Sequence, residues 1–458
     1  MSWDARRIAE AAGAELVREG GGSREAPPAA AVDTRALHAG ELFVGIAGER
    51  EDGGARAGEA LAAGAWGVLV TPEHAAAAAA TERAGAVLSH PEPLRGLQAL
   101  ARAWREELGA SVVAITGSTG KTSTKDILAA LLSGALPTAA SPQNLNTEIG
   151  LPLAILAAPV TTRALVLEMA MRGPGQIAEL TAIARPDVGV IVNVGPAHLE
   201  LLGSLEAIAG AKAELIAGLA PGATAVVPAG EPLLEPYLRT DLRTISFGEG
   251  GDVRLLSAGA DGQVRIADGE QIVELVPSFS QAHNLRNLLA AVAAAGAIGV
   301  RPSGALEVTF SAMRGQRSEL PAGVLLIDDC YNANPMSMRA AIDDLAAGPH
   351  GGRLVAVLGD MLELGPQGAD LHREIGAHAR RAGVDVLVAV GPLAAEMNAE
   401  FGGESYSFAD AAGAAKAVPA MLRPGDTVLV KASRGVGLER VAAALREADG
   451  NLAVSGQR

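Results

Sequence analysis

Residues 114–126 read AITGSTGKTSTKD. A β-branched run, SVVAIT (111–116), enters a glycine turn, and TSTKDILAALLSGAL leaves it with the apolar spacing of a helix. Strand, glycine turn and helix together form the setting of a phosphate-binding loop. Glycines let backbone N–H groups approach phosphate oxygens, and the first turn of the helix adds positive potential. The usual spacing is G-x-x-x-x-G-K-[ST]. Here position 115 is Ile115 and the glycines are Gly117 and Gly120, which gives a shortened G-x-x-G-K-T. Gly117, Ser118, Thr119 and Gly120 make the turn, and Lys121, Thr122 and Ser123 open the helix. Lys121 is placed to reach the β- and γ-phosphates of ATP, and the Thr122 hydroxyl to ligate Mg²⁺.

Outward from the loop, ALVLEMA (164–170), VGVIVNVG (188–195) and TAVVPAG (224–230) read as strands with helical stretches between them. HNLRNLLAAVAAAGAIG (283–299) is a strongly apolar helix late in this unit. Such alternation predicts a mostly parallel, doubly wound sheet. Before it, ELFVGIAG (41–48) and WGVLVTP (66–72) read as short buried strands of a small α/β unit, and ALARAWREELGA (99–110) as the helix that leads out of it. After SAMRGQRSEL (311–320) the pattern restarts with VLLIDDCY (324–331), RLVAVLGD (353–360), VDVLVAVG (384–391) and DTVLVKAS (426–433), a second, Rossmann-like unit. The expectation is an α/β chain of three domains, 1–108, 109–313 and 314–458, which suits 458 residues at about 100–200 per domain.

Apolar residues make up 49% and charged residues 19%, the balance of a folded chain. A net charge of −15 argues against nucleic acid or an anionic membrane as the main partner, because both need clustered Lys and Arg. The one cysteine, Cys330, excludes an intramolecular disulfide and reads as a small core residue in a strand. MSWDARRIAEAAGAELV reads as an amphipathic helix rather than a signal peptide. No run of about 18 apolar residues escapes a charge or a Gly-Pro break, so no membrane span is expected and the cytoplasm is the expected compartment.

A carboxylate should complete the metal site. Glu168 ends the strand ALVLEMA, on the edge where ligands gather in such sheets. Residue chemistry alone favours a surface Glu at a strand end. His198, in GPAHLE, is a lone histidine of a type more often structural, and Lys212, in GAKAELI, reads by itself as a solvated helix lysine.

The ordered set GSTGKT, EMA, AHLE, AKAE, HNLRN and DDCYNANP resembles the Mur ligase family, ATP-dependent amino-acid ligases of peptidoglycan synthesis whose phosphate loop has this shortened form. The resemblance covers essentially the whole chain. DTRALHAGELFVGIAGEREDG (33–53), NLNTEIGLP (144–152), HLELLGS (198–204), DDCYNANPMSM (328–338) and VLGDMLELG (357–365) resemble the branch that joins D-Ala-D-Ala to UDP-MurNAc-tripeptide. The resemblance implies a first domain for the UDP-sugar substrate, a second for ATP and a third for the incoming dipeptide, in a monomer.

Residue by residue, it implies phosphate and Mg²⁺ roles for Lys121 and Thr122, and further metal roles for Glu168 and His198. Lys212 matches the lysine carbamylated in the family, whose carbamate would hold a second Mg²⁺; Lys121, His198 and Lys212 are thus the expected catalytic set. Asn284 and Asn287 match the adenine region, and Arg317 and Asp329 match residues that reach the γ-phosphate and ribose from the third domain. Asp33, Thr34 and Arg35 fall in the uridine domain. Asn146 and Thr147, in NLNTEIGLP, with Asn332, Asn334, Lys431, Ser433 and Arg434, are the expected contacts to the peptide substrates.

Three motifs depart from the family form: Asp52-Gly53-Gly54 for DGH, Glu168-Met169-Ala170 for E-x-G, and Lys431-Ala432-Ser433-Arg434 for KGSR. The implied reaction passes through an acyl phosphate, which predicts closure of the third domain over the second about hinges near 108–111 and 312–316. The alternatives are another ligase of the same superfamily, adding a single amino acid or of a polyglutamate type, a switch or transport NTPase, and a catalytically silent scaffold. The third-domain strings argue against the first, the missing glycine and the lack of a motor or switch signature against the second, and the intact Lys121, Thr122, Glu168, His198 and Lys212 against the third.

Overall fold

The computed structural model describes residues 3–20, 29–48, 51–142, 144–348 and 350–455. Glu49 and Arg50 of the 33–53 string lie outside the described residues, as do Met1 and Ser2. The described strands form three sheets of five, ten and six strands, each with its own helices, so the α/β fold expected from the sequence is the fold observed.

In the first unit the helix Ala5–Ala12 starts at Asp4, whose carboxylate accepts the Arg7 N–H, and stops at Gly13 (φ +62°). Glycine takes this left-handed cap without a Cβ penalty, so the helix is shorter than the sequence pattern suggested and Glu15–Arg18 turns into a strand. That strand pairs antiparallel with Ala86–Ser89; Gly67–Val70, Leu42–Val44 and Ala30–Ala31 continue the sheet in parallel. The helix Pro93–Leu108 joins this unit to the next, where the Trp104 indole N–H donates to the Ala158 carbonyl (3.1 Å) and its ring packs edge-on against Trp3.

The central sheet has Ser111–Thr116 between Ala164–Glu168 and Val188–Ile191, all parallel. These strands are buried on both sides, as their unbroken apolar runs require. Ile127, Leu128 and Leu132 of the phosphate-loop helix Lys121–Ser133 share one core with Leu288, Leu289 and Val292 of the helix Ala282–Ala297. Because the three central strands run in one direction, the phosphate loop, the end of Glu168's strand and the turn at Asn193 leave the sheet at one edge, where open α/β sheets bind ligands. The sheet departs from the sequence reading beyond Phe247: Val253–Ala258, Val264–Asp268 and Gln271–Pro277 are an antiparallel meander.

The third sheet runs in the order Gln316–Leu320, Val324–Asp328, Thr427–Lys431, Leu354–Gly359, Val386–Val390, Glu404–Phe408, parallel except for the first pair. Cys330 is buried as expected, but two residues beyond its strand rather than in it, and burial pushes its thiol pKa up. Among the described residues no helix is long and apolar enough to cross a membrane.

Candidate functional site

The phosphate loop is held from behind. The Asn193 side-chain oxygen accepts the N–H groups of Ser118 (3.1 Å) and Thr119 (3.0 Å), and its amide donates to the Thr119 carbonyl (3.0 Å). The Ser118 hydroxyl donates to the Gly195 carbonyl (2.8 Å) and accepts the Gly195 N–H (2.9 Å). Gly120 has φ +79°, and a Cβ there would lie 2.6 Å from Asn287 Oδ1. Glycine is therefore required twice, for its backbone angle and for the approach of the helix Ala282–Ala297. Lys121 folds back over the loop and donates to the Gly117 carbonyl (2.8 Å); burial lowers its pKa, with the Glu168 charge opposing.

Glu168 is buried and takes a hydrogen bond on each oxygen, from the Thr122 hydroxyl (2.8 Å) and from Asn146 Nδ2 (2.9 Å). A hydroxyl and a carboxylate side by side at the start of the loop helix are hard oxygen donors that suit Mg²⁺, which takes its remaining ligands from phosphates and water. The loop itself fits a polyphosphate: it leads into the N-terminus of the helix Lys121–Ser133, and Lys121 supplies the cation. Thr147 stays with its own turn, accepting the Gly150 N–H (3.3 Å).

Lys212 corrects the reading from residue chemistry alone. It is 1% exposed on the helix Leu205–Ala217, not solvated, and forms no ion pair among the described residues. Burial first, and then the nearby Lys121 charge, hold its pKa well below the ordinary lysine value. His198 is close to the same two lysines, and burial outweighs Glu363 to lower its pKa. Its Nδ1 lies 2.5 Å from Glu363 Oε2 of the third unit. Both residues have left-handed backbones, φ +59° and +61°, and the Glu363 carbonyl also accepts the Glu200 N–H (3.0 Å). Lys121, Thr122, Glu168, His198 and Lys212 therefore gather at one sheet edge.

The third unit closes the other side. Asn334 caps the helix Pro335–Ala347 by accepting the Ser337 N–H (2.9 Å), and its amide crosses to the Ser118 carbonyl (3.2 Å). Lys431 donates to Asp329 (2.6 Å) and to the Asn332 carbonyl (2.9 Å). Ser433 accepts the Leu362 N–H (2.9 Å) and donates to the Ala333 carbonyl (3.2 Å), so it braces the loops beside the cleft. Between the units lies a cleft of about 650 Å³ lined by Lys121, Asn284, Asn287, Asp329, Asn332 and Lys431, among others.

Other expected residues lie apart from this cleft. Asp33 and Arg35 pair in the first unit (2.6 Å), and the bonds from Arg35 hold the Asp33 carboxyl at about 2; Thr34 donates to Glu59 (3.2 Å). Arg317 is taken by Asp344 (2.9 and 2.8 Å) and borders a neighbouring cavity of about 420 Å³. Arg434 points to Met313 Sδ (3.4 Å). Sequence reading missed Asn193, Arg314 and Glu363. Asn193 stands two residues beyond a strand edge-on to the loop, and that was the one available signal.

The description "Mur ligase middle domain" matches residues 115–295, and "Mur ligase, glutamate ligase domain" matches residues 313–434. The UDP-N-acetylmuramoyl-tripeptide--D-alanyl-D-alanine ligase of Synechocystis sp. is 38% identical over 428 residues, 90% of each chain. The chain belongs to the Mur ligase family. The Bacillus subtilis ligase of the same name is 35% identical, over 90% of this chain and 91% of that one. Among solved structures, MurF from Acinetobacter baumannii superposes with a TM-score of 0.83 at 28% identity, over 98% of this chain and 99% of that chain. MurF ligase from Thermotoga maritima in complex with ADP superposes with a TM-score of 0.77 at 32% identity, over 92% and 97%. These Mur ligase neighbours share the three-unit α/β architecture described above, and one of them carries ADP.

Proposed function

We propose that this chain is an ATP-dependent ligase that joins D-Ala-D-Ala to UDP-MurNAc-tripeptide, making the UDP-MurNAc-pentapeptide of cell-wall synthesis in the cytoplasm, and that it acts as a monomer. The observation that carries this reading is the meeting of the phosphate loop, with its Thr122–Glu168 pair, and the Asn332–Asn334 loop across one cleft. Relatives with that name span nine-tenths of the chain. In this reading residues 1–108 hold the uridine substrate through Asp33, Thr34 and Arg35, residues 109–313 hold ATP, and residues 314–458 hold the dipeptide.

In the first step an oxygen of the tripeptide's terminal carboxylate forms a bond to the γ-phosphorus while the bond from phosphorus to the β–γ bridging oxygen breaks, giving an acyl phosphate and ADP. The amine of D-Ala-D-Ala then attacks the acyl carbon; the bond from that carbon to the phosphate oxygen breaks, inorganic phosphate leaves, and the nitrogen loses a proton. Lys121 stabilises the charge on the transferring group, and the start of the helix Lys121–Ser133 orients it. Thr122 and Glu168 would hold Mg²⁺, with His198 and Lys212 beside a second one; bound Mg²⁺ neutralises phosphate charge during the transfer.

Lys212, buried and without an ion pair among the described residues, supports carbamylation: as a carbamate it becomes an anion suited to a cation, whereas an ammonium would be repelled. In this reading Asn284 and Asn287, which line the cleft, would meet the adenine, and Asp329, with Lys431, the ribose. Asn334 on Ser118 and Glu363 on His198 would hold the third unit closed about 312–316, with a second hinge near 108–111, and keep water from the acyl phosphate.

The test is phosphate release from ATP with UDP-MurNAc-tripeptide, with and without D-Ala-D-Ala, with single amino acids in parallel. Release that needs the dipeptide, together with a pentapeptide product, is expected. Release with a single amino acid would make this a sister ligase, and release with neither peptide substrate would sink the ligase reading.

A further inference from the structure

We infer that Lys125 is a positioning residue at a junction, holding from one helix both the chain segment that clasps Glu168 and the linker into the third unit. The inference rests on the Mg²⁺ and ATP reading of the cleft. Lys125 is 3% exposed on the phosphate-loop helix Lys121–Ser133 and is not part of the cleft wall. It stands three residues beyond Thr122, on the same side of the helix. A buried ammonium costs free energy unless its protons are accepted and its charge is met. Lys125 has two acceptors on different segments. It donates to the Ser141 carbonyl (2.9 Å) and pairs with Asp126 Oδ1 (3.1 Å).

The Ser141 side of the junction leads to the carboxylate. Ser141 follows the strand Thr138–Ala140, and its hydroxyl accepts the Glu168 N–H (3.1 Å). Asn146, five residues on, donates to Glu168 Oε1 (2.9 Å). Glu168 is therefore held at its backbone by Ser141 and at its side chain by Asn146, while Thr122 takes the other oxygen from the helix (2.8 Å). The spacing of the Thr122 hydroxyl and the Glu168 carboxylate depends on how the helix and Ser141 sit against each other. Lys125 is the charged tie between them.

The Asp126 side leads to the linker. Asp126 Oδ2 accepts the Ser311 N–H (2.9 Å), and Oδ1, the oxygen that meets Lys125, accepts the Ser311 hydroxyl (3.3 Å). Ser311 is the residue before the expected hinge at 312–316. One ammonium thus sets both Ser141 and the carboxylate that anchors the linker. A compact point charge with three donors suits such a junction, because it serves acceptors in different directions at once.

The test compares the full-length wild type with Lys125→Met, Ser141→Ala and Asp126→Asn. Mg²⁺ affinity is measured by calorimetry with ADP bound, and hydrogen exchange of the 308–316 amides by mass spectrometry. Phosphate release with UDP-MurNAc-tripeptide and D-Ala-D-Ala is followed beside them. Ser141→Ala weakens Mg²⁺ about fivefold and leaves linker exchange as in the wild type. Asp126→Asn speeds linker exchange about fivefold and leaves Mg²⁺ affinity unchanged. Lys125→Met does both, with Mg²⁺ about tenfold weaker and ADP affinity without Mg²⁺ held within about threefold. Its turnover number falls below that of either other variant. A Lys125→Met protein that moves one reading or neither would overturn the inference, as would Ser141→Ala and Asp126→Asn each moving both. If Lys125→Met does not fold, Lys125→Gln takes its place, and unfolding of both without nucleotide would overturn the inference by making the role structural. A wild type in which Mg²⁺ does not bind beside ADP would fail the Mg²⁺ reading, and the inference with it. One that binds Mg²⁺ and ADP but shows no dipeptide-dependent release would fail the ligase reading alone, and Lys125 would then be judged on Mg²⁺ affinity and linker exchange.

Discussion

Asn193→Ala should separate the stiffness of the phosphate loop from its charge. The side chain makes three hydrogen bonds to the loop, to Ser118 N, Thr119 N and Thr119 O, and alanine removes all of them. Ser118 N–H keeps the Asn193 backbone carbonyl as acceptor (3.2 Å), while the Thr119 groups lose their partner. At about 1 kcal/mol net for each bond, the loss is about 3 kcal/mol. For a unit of 150–250 residues this lowers the melting temperature by roughly 6–12 °C. Asn193→Asp keeps both accepted bonds and loses only the donated one, about 1 kcal/mol. It also sets a negative charge behind the loop, worth about 2 kcal/mol against each phosphate charge within roughly 8 Å. The two variants should therefore change places. Without nucleotide, Asn193→Asp melts above Asn193→Ala; in ATP binding, Asn193→Asp is the weaker. The assay is differential scanning fluorimetry of the central unit's transition, followed by titration with MgATP. An Asn193→Ala protein that melts within about 2 °C of wild type, or variants that keep one order in both measurements, would refute the bracing role.

Gly120→Ala should weaken ATP binding roughly tenfold, because φ +79° costs a residue with a Cβ about 1–2 kcal/mol and the new Cβ meets Asn287 Oδ1 at 2.6 Å. Adding Asn287→Ala should relieve only the steric part, which a fluorescent-nucleotide titration of single and double variants reads directly. Asp426 is buried; burial raises its pKa, but the Arg353 side chain and the backbone N–H groups of Arg423 and Arg353 outweigh it and hold the carboxyl below its ordinary value. A depressed carboxylate contributes stability above its unfolded pKa of about 3.9 and loses it as pH falls through the folded value. Asp426→Asn should thus cost about 3 kcal/mol at neutral pH, and a smaller difference in urea midpoint should remain below about pH 4. For Lys212, buried and without a carboxylate partner among the described residues, ¹³C-bicarbonate should yield a carbamate resonance in the wild type that is missing in Lys212→Gln; its absence from the wild type would refute carbamylation.

The phosphate loop was legible because its chemistry lies in one contiguous stretch, Gly117 to Ser123, framed by a strand and a helix of opposite periodicity. Glu168 was legible for a related reason: a strand-end carboxylate can be placed once parallel strands are counted. The meander at 253–277 was not, because its strands alternate, as in the burial of Gln271–Pro277, and lack the unbroken apolar runs that marked the buried strands. The burial of Lys212 was hidden as well. LEAIAGAKAELIA is apolar on almost every side, so no stripe shows which side meets the sheet, and only the packed fold makes the lysine a core residue.

The contacts that complete the site are separated by 74 to 192 positions: Thr119 to Asn193, His198 to Glu363 and Thr122 to Arg314. No local period encodes a distance of that length; it is set when the units dock. The two arginines of MRGQR show how little sequence spacing decides. Gly315, at φ +67°, turns the chain between them. Before the turn, Arg314 still lies along the phosphate-loop helix. After it, Arg317 has entered the strand Gln316–Leu320, paired antiparallel with Val324–Asp328, and has Asp344 as its partner. One glycine in the left-handed region thus gives two neighbouring arginines different partners.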